Sequence, residues 1–270
     1  MSKPSVSALF FEQLVPYLSP LFSIDNEEKF SSFQKSVNKY IFYVFTLDRI
    51  IDQEINWVED FDTATETLKR AQDYSTTAIL GLGQLFEPEN NFWKHFNSYM
   101  NSYYEGLVLE MKNSALQINH TIESFEAYSF SKHAPAFIPV EGLFILFKSD
   151  VDSKKVIELF NQLFYGMQML DDIEDFNEDV LKNQHTYCIS AVNEFILEHK
   201  IEEKPGLDRF KERVFYVSGL AEKCNSYATR QFKIAQGTAR KLNLNELVIW
   251  IDTMLQMLEH NRNIINELTK

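Results

Sequence analysis

Glycine and proline are scarce in this 270-residue chain, with 8 Gly and 7 Pro. So few helix breakers disfavour an all-β or loop-rich fold and suit long helices. Cysteine is rarer still. The two present, Cys188 and Cys224, do not make a disulfide framework, and they fit a reducing cytoplasm. No apolar run reaches the ~20 residues of a membrane span; the longest, 135–147, is interrupted by Glu141. The N-terminal MSKPSVSALFFEQLV has neither the basic start nor the apolar length of a signal peptide. A soluble, cytoplasmic protein is therefore expected. Basic residues are outnumbered, 26 Lys+Arg against 39 Asp+Glu, and the net charge of -13 argues against nucleic acid or an anionic membrane as partner. An anionic substrate would have to be held by metal ions or by local Lys and Arg. None of the six histidines (95, 120, 133, 185, 199, 260) sits at metal-ligand spacing. The Glu-x-x-His pairs of carboxylate-bridged di-iron bundles are missing, as are a nucleophile motif and a glycine-rich phosphate loop.

Aromatics are plentiful: 23 Phe, 12 Tyr and 3 Trp. At helical spacing most belong to a core, and the remainder are enough to line a pocket for a cationic intermediate. The pattern predicts an all-α chain, one domain over 1–270 with roughly ten helices. Expected helices run over 5–18, from an Asn26 cap to Trp57, from Asp62 or Thr63 to Gly81–Gly83, and from Pro88 through NNFWKHFNSYMNSYYEGLVLEM. Thr121 to Lys132 opens on a capping-box pattern. The stretch HAPAFIPVEGLFILF reads either as a loop or as a broken helix whose carbonyls face a cavity. Further helices are expected over 152–181, 207–241 and 245–268, with HKIEEKPG as a polar connector.

One stretch, Phe164 to Thr186, concentrates the chemistry. FYGMQMLDDIEDFNEDVLKNQHT carries Asp171, Asp172, Asp175, Glu178 and Asp179, with Gln168 a turn earlier. At roughly 100° per residue these share about a third of the helix circumference. Like charges one turn apart gain nothing on their own. The flanking Leu163, Phe164, Met167, Met169, Leu170, Ile173 and Phe176 predict a buried helix, and buried carboxylates call for cations. Oxygen ligands without cysteine favour a hard ion such as Mg2+, which completes its shell from water and phosphate. Upstream, YIFYVFTLDRIID places Asp48 and Asp52 one turn apart on an aromatic-rich helix. Two such helices facing a shared cavity would clamp metal ions and a diphosphate. The bland alternative is a non-enzymatic helical protein with a solvated acidic face.

These residues resemble a known family. YIFYVFTLDRIIDQ is similar to the first Asp-rich helix of squalene and phytoene synthases, and YGMQMLDDIEDFNED resembles the Q-x-x-D-D-x-x-D motif of trans-prenyl diphosphate synthases. The order, separation and intervening IESFEAYSFSKHAPAF fit as well, so the resemblance spans Asn26 to about Tyr187. It implies the class I isoprenoid synthase fold, a helical bundle around a central apolar cavity, with Mg2+ or Mn2+ and a prenyl diphosphate as substrate. It makes Asp48, Asp52, Asp171 and Asp175 metal ligands, with Asp172, Glu178 and Asp179 contributing. It places Gln168, Lys132 and Lys182 at the diphosphate, Arg230 and Lys233 as further candidates, and Tyr128 at a functional tyrosine. Tyr43 and Phe45, about one turn below Asp48, lie at the depth where related enzymes gauge chain length. A homodimer is compatible with it.

The departures bear on subclass. The basic N-terminal stretch and the Arg-Arg pair that bind isopentenyl diphosphate in chain elongases are missing; Asp52 is followed by QEINWVED. The Gly-Lys or Gly-Arg after the second motif is replaced by LKNQHT, and no N-D-x-x-S-x-x-x-E motif occurs. The expectation is a terpene synthase that ionises an allylic prenyl diphosphate and cyclises it in an aromatic-lined cavity. Head-to-head condensation is the alternative, followed by a trans-prenyltransferase.

Overall fold

The computed structural model describes residues 6–51, 61–203 and 208–268. Thirteen α-helices occur among them: α1 (Val6–Glu12), α2 (Leu14–Leu18), α3 (Glu27–Ile51), α4 (Phe61–Gly83), α5 (Asn91–Leu116), α6 (Ile122–His133), α7 (Phe137–Leu146), α8 (Ser153–Glu174), α9 (Phe176–Lys182), α10 (Tyr187–His199), α11 (Phe210–Val217), α12 (Leu220–Lys241) and α13 (Asn245–Leu268). The described residues contain no strand, only one antiparallel bridge between Ser23 and Lys148. The chain is all-α, as its composition predicts. It divides into two compact units, residues 1–100 with 134–153, and residues 101–133 with 154–270.

In the first unit Asn26 caps α3, its side-chain oxygen accepting from Lys29 N at 2.9 Å. The apolar residues of α3 recur every three or four positions, so Phe33, Val37, Tyr40, Ile41 and Val44 all bury on one face. Helices α3 and α4 run antiparallel: Phe42 meets Tyr74 (5.6 Å between rings), while Ser36 lies against Gly81 further along α4 and further back along α3. The core is aromatic. Phe86 and Phe92 stack at 3.8 Å, and Gly142 of α7 leaves the room that Phe33 fills.

Two sequence expectations resolve differently here. The first helix is two, split at Gln13, with Pro16 inside α2. The proline-rich stretch after His133 is neither a loop nor an open break. It forms a 3-10 turn over Ala134–Ala136 that leads into α7, and residues 134–140 are all buried. The carbonyl of Pro135 accepts from the Tyr40 hydroxyl at 3.4 Å, so the freed backbone group is satisfied by a side chain.

In the second unit α12 and α13 form an antiparallel hairpin. Asn225 Nδ2 donates to the Leu258 carbonyl at 3.1 Å, and Phe232 meets Trp250 edge-on at 6.1 Å. Helix α8 packs on α12 where Gly166 faces the Phe232 ring, and on α6 where Ser129 Oγ donates to the Phe164 carbonyl at 3.1 Å. The expected helix over 207–241 is broken at Ser218 and Gly219. Gly219 takes φ +80°, a conformation that favours glycine, and α12 starts afresh after it. The expected helix over 152–181 is likewise two, α8 and α9, meeting at Asp175.

Candidate active site

The acidic segment lies wholly in the second unit, at the end of α8 and along α9. Its backbone ladder survives the break: Asp175 N donates to the Asp171 carbonyl and Asp179 N to the Asp175 carbonyl, both at 2.9 Å. The helical phase is therefore kept, and the acids form a stripe with two edges. Gln168, Asp172 and Asp179 are buried, at 5%, 4% and 7% exposure, while Asp171, Asp175 and Glu178 face outward. Several residues around the stripe are apolar and closed off, including Met169, Leu170, Ile173 and Phe176.

Burial governs the electrostatics. It pushes the Asp172 carboxyl up to about 7, against a hydrogen bond from Gln168 Nε2 (2.9 Å) that favours the charged form. Asp179 is pushed up to about 8, by burial first and then by Asp172, Asp175 and Asp171. Asp171 and Asp175 are raised for the same leading reason. Lys132, on α6, is the cation that acts on all four aspartates, and Lys182 adds to it at Asp175. Lys182 itself pairs with Glu178 at 2.6 Å. Glu174, beside the stripe, is also raised by burial, and Asn261 donates to it at 3.3 Å.

Tyr128 faces the same cluster. Its hydroxyl donates to Glu110 Oε1 at 2.6 Å, and Lys132 Nζ stands 5.8 Å from its ring centre. Glu110, on α5, also accepts from Gln184 Nε2 at 3.1 Å and adds to the field at Asp171 and Asp172. Sequence reasoning missed Glu110. It belongs to no acidic run, and its partners lie 18 and 74 residues away. On α6 as well, the His133 ring stacks on Phe164 at 4.6 Å and its Nδ1–H donates to the Ser129 carbonyl at 2.8 Å. Burial pulls that imidazole down to about 4, which keeps it neutral.

The remaining sequence candidates lie on other helices. Arg230 and Lys233 are exposed on α12, with the Arg230 guanidinium 5.3 Å above the Tyr227 ring. Asp48, half-buried on α3, belongs to the first unit, and Asp52 lies outside the described residues. Tyr43 and Phe45 are half-buried on α3, and Phe45 meets Phe11 edge-on at 5.5 Å.

The donor chemistry of the stripe suits a hard cation: every candidate group is a carboxyl oxygen, and once ionised the four aspartates carry more negative charge than Lys132 offsets. Among the described residues no three acid, histidine or cysteine side chains are arranged to enclose an ion unaided. A Mg2+ held by one or two carboxylates, with water and phosphate oxygens completing the shell, is the mode such a set supports.

No protein-family model and no curated protein matches the chain. Solved structures do. The crystal structure of heptaprenyl diphosphate synthase from Staphylococcus aureus superposes with a TM-score of 0.73 over 94% of this chain and 88% of its own, at 13% identity. The fold is that of the class I isoprenoid synthases. At that level of identity the agreement concerns backbone and topology alone. No helix among the described residues is long and apolar enough to cross a membrane.

Proposed function

We propose that this chain is an enzyme acting on an allylic prenyl diphosphate, with residues 1–270 as one isoprenoid-synthase-like helical domain. The observation that carries the reading is the stripe itself, four aspartates with raised carboxyl pKa values, two buried and two on the outward edge, in a fold shared with a prenyl diphosphate synthase. Asp171 and Asp175, on the outward edge, are the metal ligands of the second motif, with Asp172, Glu178 and Asp179 supporting them; the resemblance gives Asp48 and Asp52 that role in the first. Bound Mg2+ would supply positive charge to the departing diphosphate. The residues of the chain do the rest. Gln168 holds Asp172 in place, and Lys132 and Lys182 bring ammonium groups to a phosphate. The apolar side chains beside the stripe keep water from an electron-poor carbon skeleton.

Two outcomes of ionisation compete. The missing isopentenyl-binding clusters favour cyclisation of one substrate. The structural neighbour, a heptaprenyl diphosphate synthase, favours transfer to a second prenyl unit, so a trans-prenyltransferase stands at least level with a cyclase. Incubation with C10 to C25 prenyl diphosphates and Mg2+, with and without isopentenyl diphosphate, followed by mass spectrometry, separates them. A longer prenyl diphosphate identifies a transferase, cyclic hydrocarbons or alcohols a cyclase, and a doubled linear product head-to-head condensation. Unchanged substrate in every mixture defeats the proposal. Shrinking Tyr43 or Phe45 should lengthen or reshape the product.

A further inference from the structure

The end of α5 and the residues after it hold the segment that follows α9. Ser114 Oγ accepts from His185 N at 3.0 Å, Asn119 Oδ1 pairs with His185 Nε2 at 3.0 Å, and Gln117 Nε2 donates to Asn183 Oδ1 at 3.3 Å. Glu110 completes the series by accepting from Gln184 Nε2 at 3.1 Å. The same Glu110 oxygen takes the Tyr128 hydroxyl at 2.6 Å, within the short range of charge-assisted O–H···O⁻ bonds. One carboxylate on α5 thus ties together α6, which carries Tyr128 and Lys132, and the turn that leaves the acidic stripe.

A phenol has one proton. With that proton hydrogen-bonded to Glu110, Tyr128 has only oxygen lone pairs and a ring face for anything else. We propose that Glu110 is a positioning residue: by accepting the phenol's hydrogen bond it fixes Tyr128 as an acceptor and ring-face group toward bound substrate, and through Gln184 it sets the register of the turn after the stripe. The role rests on the prenyl diphosphate reading and narrows it. An acceptor oxygen and a ring face suit an electron-poor allylic skeleton, whereas a phenol committed to Glu110 does not protonate the departing diphosphate. The groups that face this phenol are Glu110 from α5, Lys132 from α6, Asp172 from α8, and the His120 ring at 6.3 Å.

Glu110→Gln keeps the size and an acceptor oxygen but removes the charge, and its amide can donate to the phenol instead. Turnover measured as diphosphate release should fall about tenfold to a hundredfold, as for loss of one charged hydrogen bond, with KM within about twofold. Tyr128→Phe should lose a comparable factor, and the double variant should lose no more than either single one. Glu110→Asp, which keeps the charge, should recover part of the loss. A second readout needs no activity: 13Cζ-tyrosine NMR of the full chain should find Tyr128 titrating well above ordinary tyrosine, and Glu110→Gln should bring it down. Additive losses, or a Tyr128 titration unmoved by Glu110→Gln, overturn the assignment. If the wild-type chain releases no diphosphate from any prenyl substrate, the functional reading fails and the phenol titration still decides the link between Glu110 and Tyr128.

Discussion

Two regions of the second unit handle negative charge in opposite ways. Where α12 meets α13, two acids are each bonded directly to a guanidinium: Arg262 bonds Glu222 at 3.0 Å and Glu259 at 3.1 Å, and it also reaches Ser226. Along α8 and α9, four aspartates share Lys132, and burial raises each of them. The first arrangement is a surface network worth little to stability, because solvent screens it. The second costs stability when ionised, and that cost is what marks it as the candidate site. The contrast teaches that acidity alone is no signal. What separates a site from a charged surface is whether the protein's own cations settle the charge.

The largest expected effect breaks the contrast from the chemical side. Asp171→Ala should lower diphosphate release by about a hundredfold or more, the scale seen when a group that stabilises developing charge is removed. Its helical content and melting temperature should be unchanged or slightly raised, because the variant relieves like-charge repulsion. Circular dichroism beside a release assay checks both.

The pH dependence comes next. In the folded chain burial pushes the Asp172 and Asp179 carboxyls up to about 7 and about 8, above the ordinary carboxylate value. A raised pKa means that the folded state holds the proton more tightly than the unfolded one. The stability this contributes is fully present below about pH 4 and is lost as pH rises through 7 to 8. Metal-free chain should therefore melt lower at pH 8 than at pH 5 by several degrees, net of the smaller opposite contribution of His133, whose lowered pKa favours the folded state as pH rises. Mg2+ should restore most of that loss at pH 8 and raise the melting temperature little at pH 5. Asp172→Asn should flatten both trends.

A third test separates the two faces of α8. A Cβ at Gly166 would stand 2.8 Å from Cε2 of the buried Phe232 ring. Gly166→Ala should cost about 1–3 kcal/mol through overpacking, seen as a lower denaturation midpoint, without altering the pH dependence above. The smallest effect belongs to the matched region: Arg262→Ala should cost no more than about 1 kcal/mol and leave diphosphate release intact.

Much of this was legible in the sequence, and the reason differs from element to element. The stripe could be read because its acids and its apolar neighbours repeat on the helical period, and the Asn26 cap because a side-chain oxygen just before Glu27 has few other uses. The split of the stripe into a buried and an outward edge was not legible, because Asp172 and Asp171 are chemically identical and only their packing separates them. Helix breaks at Gln13 and Asp175 escaped notice because neither residue is a strong breaker, and hydrogen bonds bridge the second one. Gly219 is the visible signal of its break, but a lone glycine within a helical pattern does not by itself end a helix. Glu110 was invisible for a different reason: its role is defined by partners from two other segments.

The central claim, that the α8–α9 aspartates hold a divalent ion for a prenyl diphosphate, is tested most directly by isothermal titration of Mg2+ at pH 8 in the presence of an unreactive allylic diphosphate analogue. The account predicts saturable binding that needs both ligands and disappears in Asp171→Ala. Binding of equal strength in Asp171→Ala, or none in the wild-type chain, would contradict it.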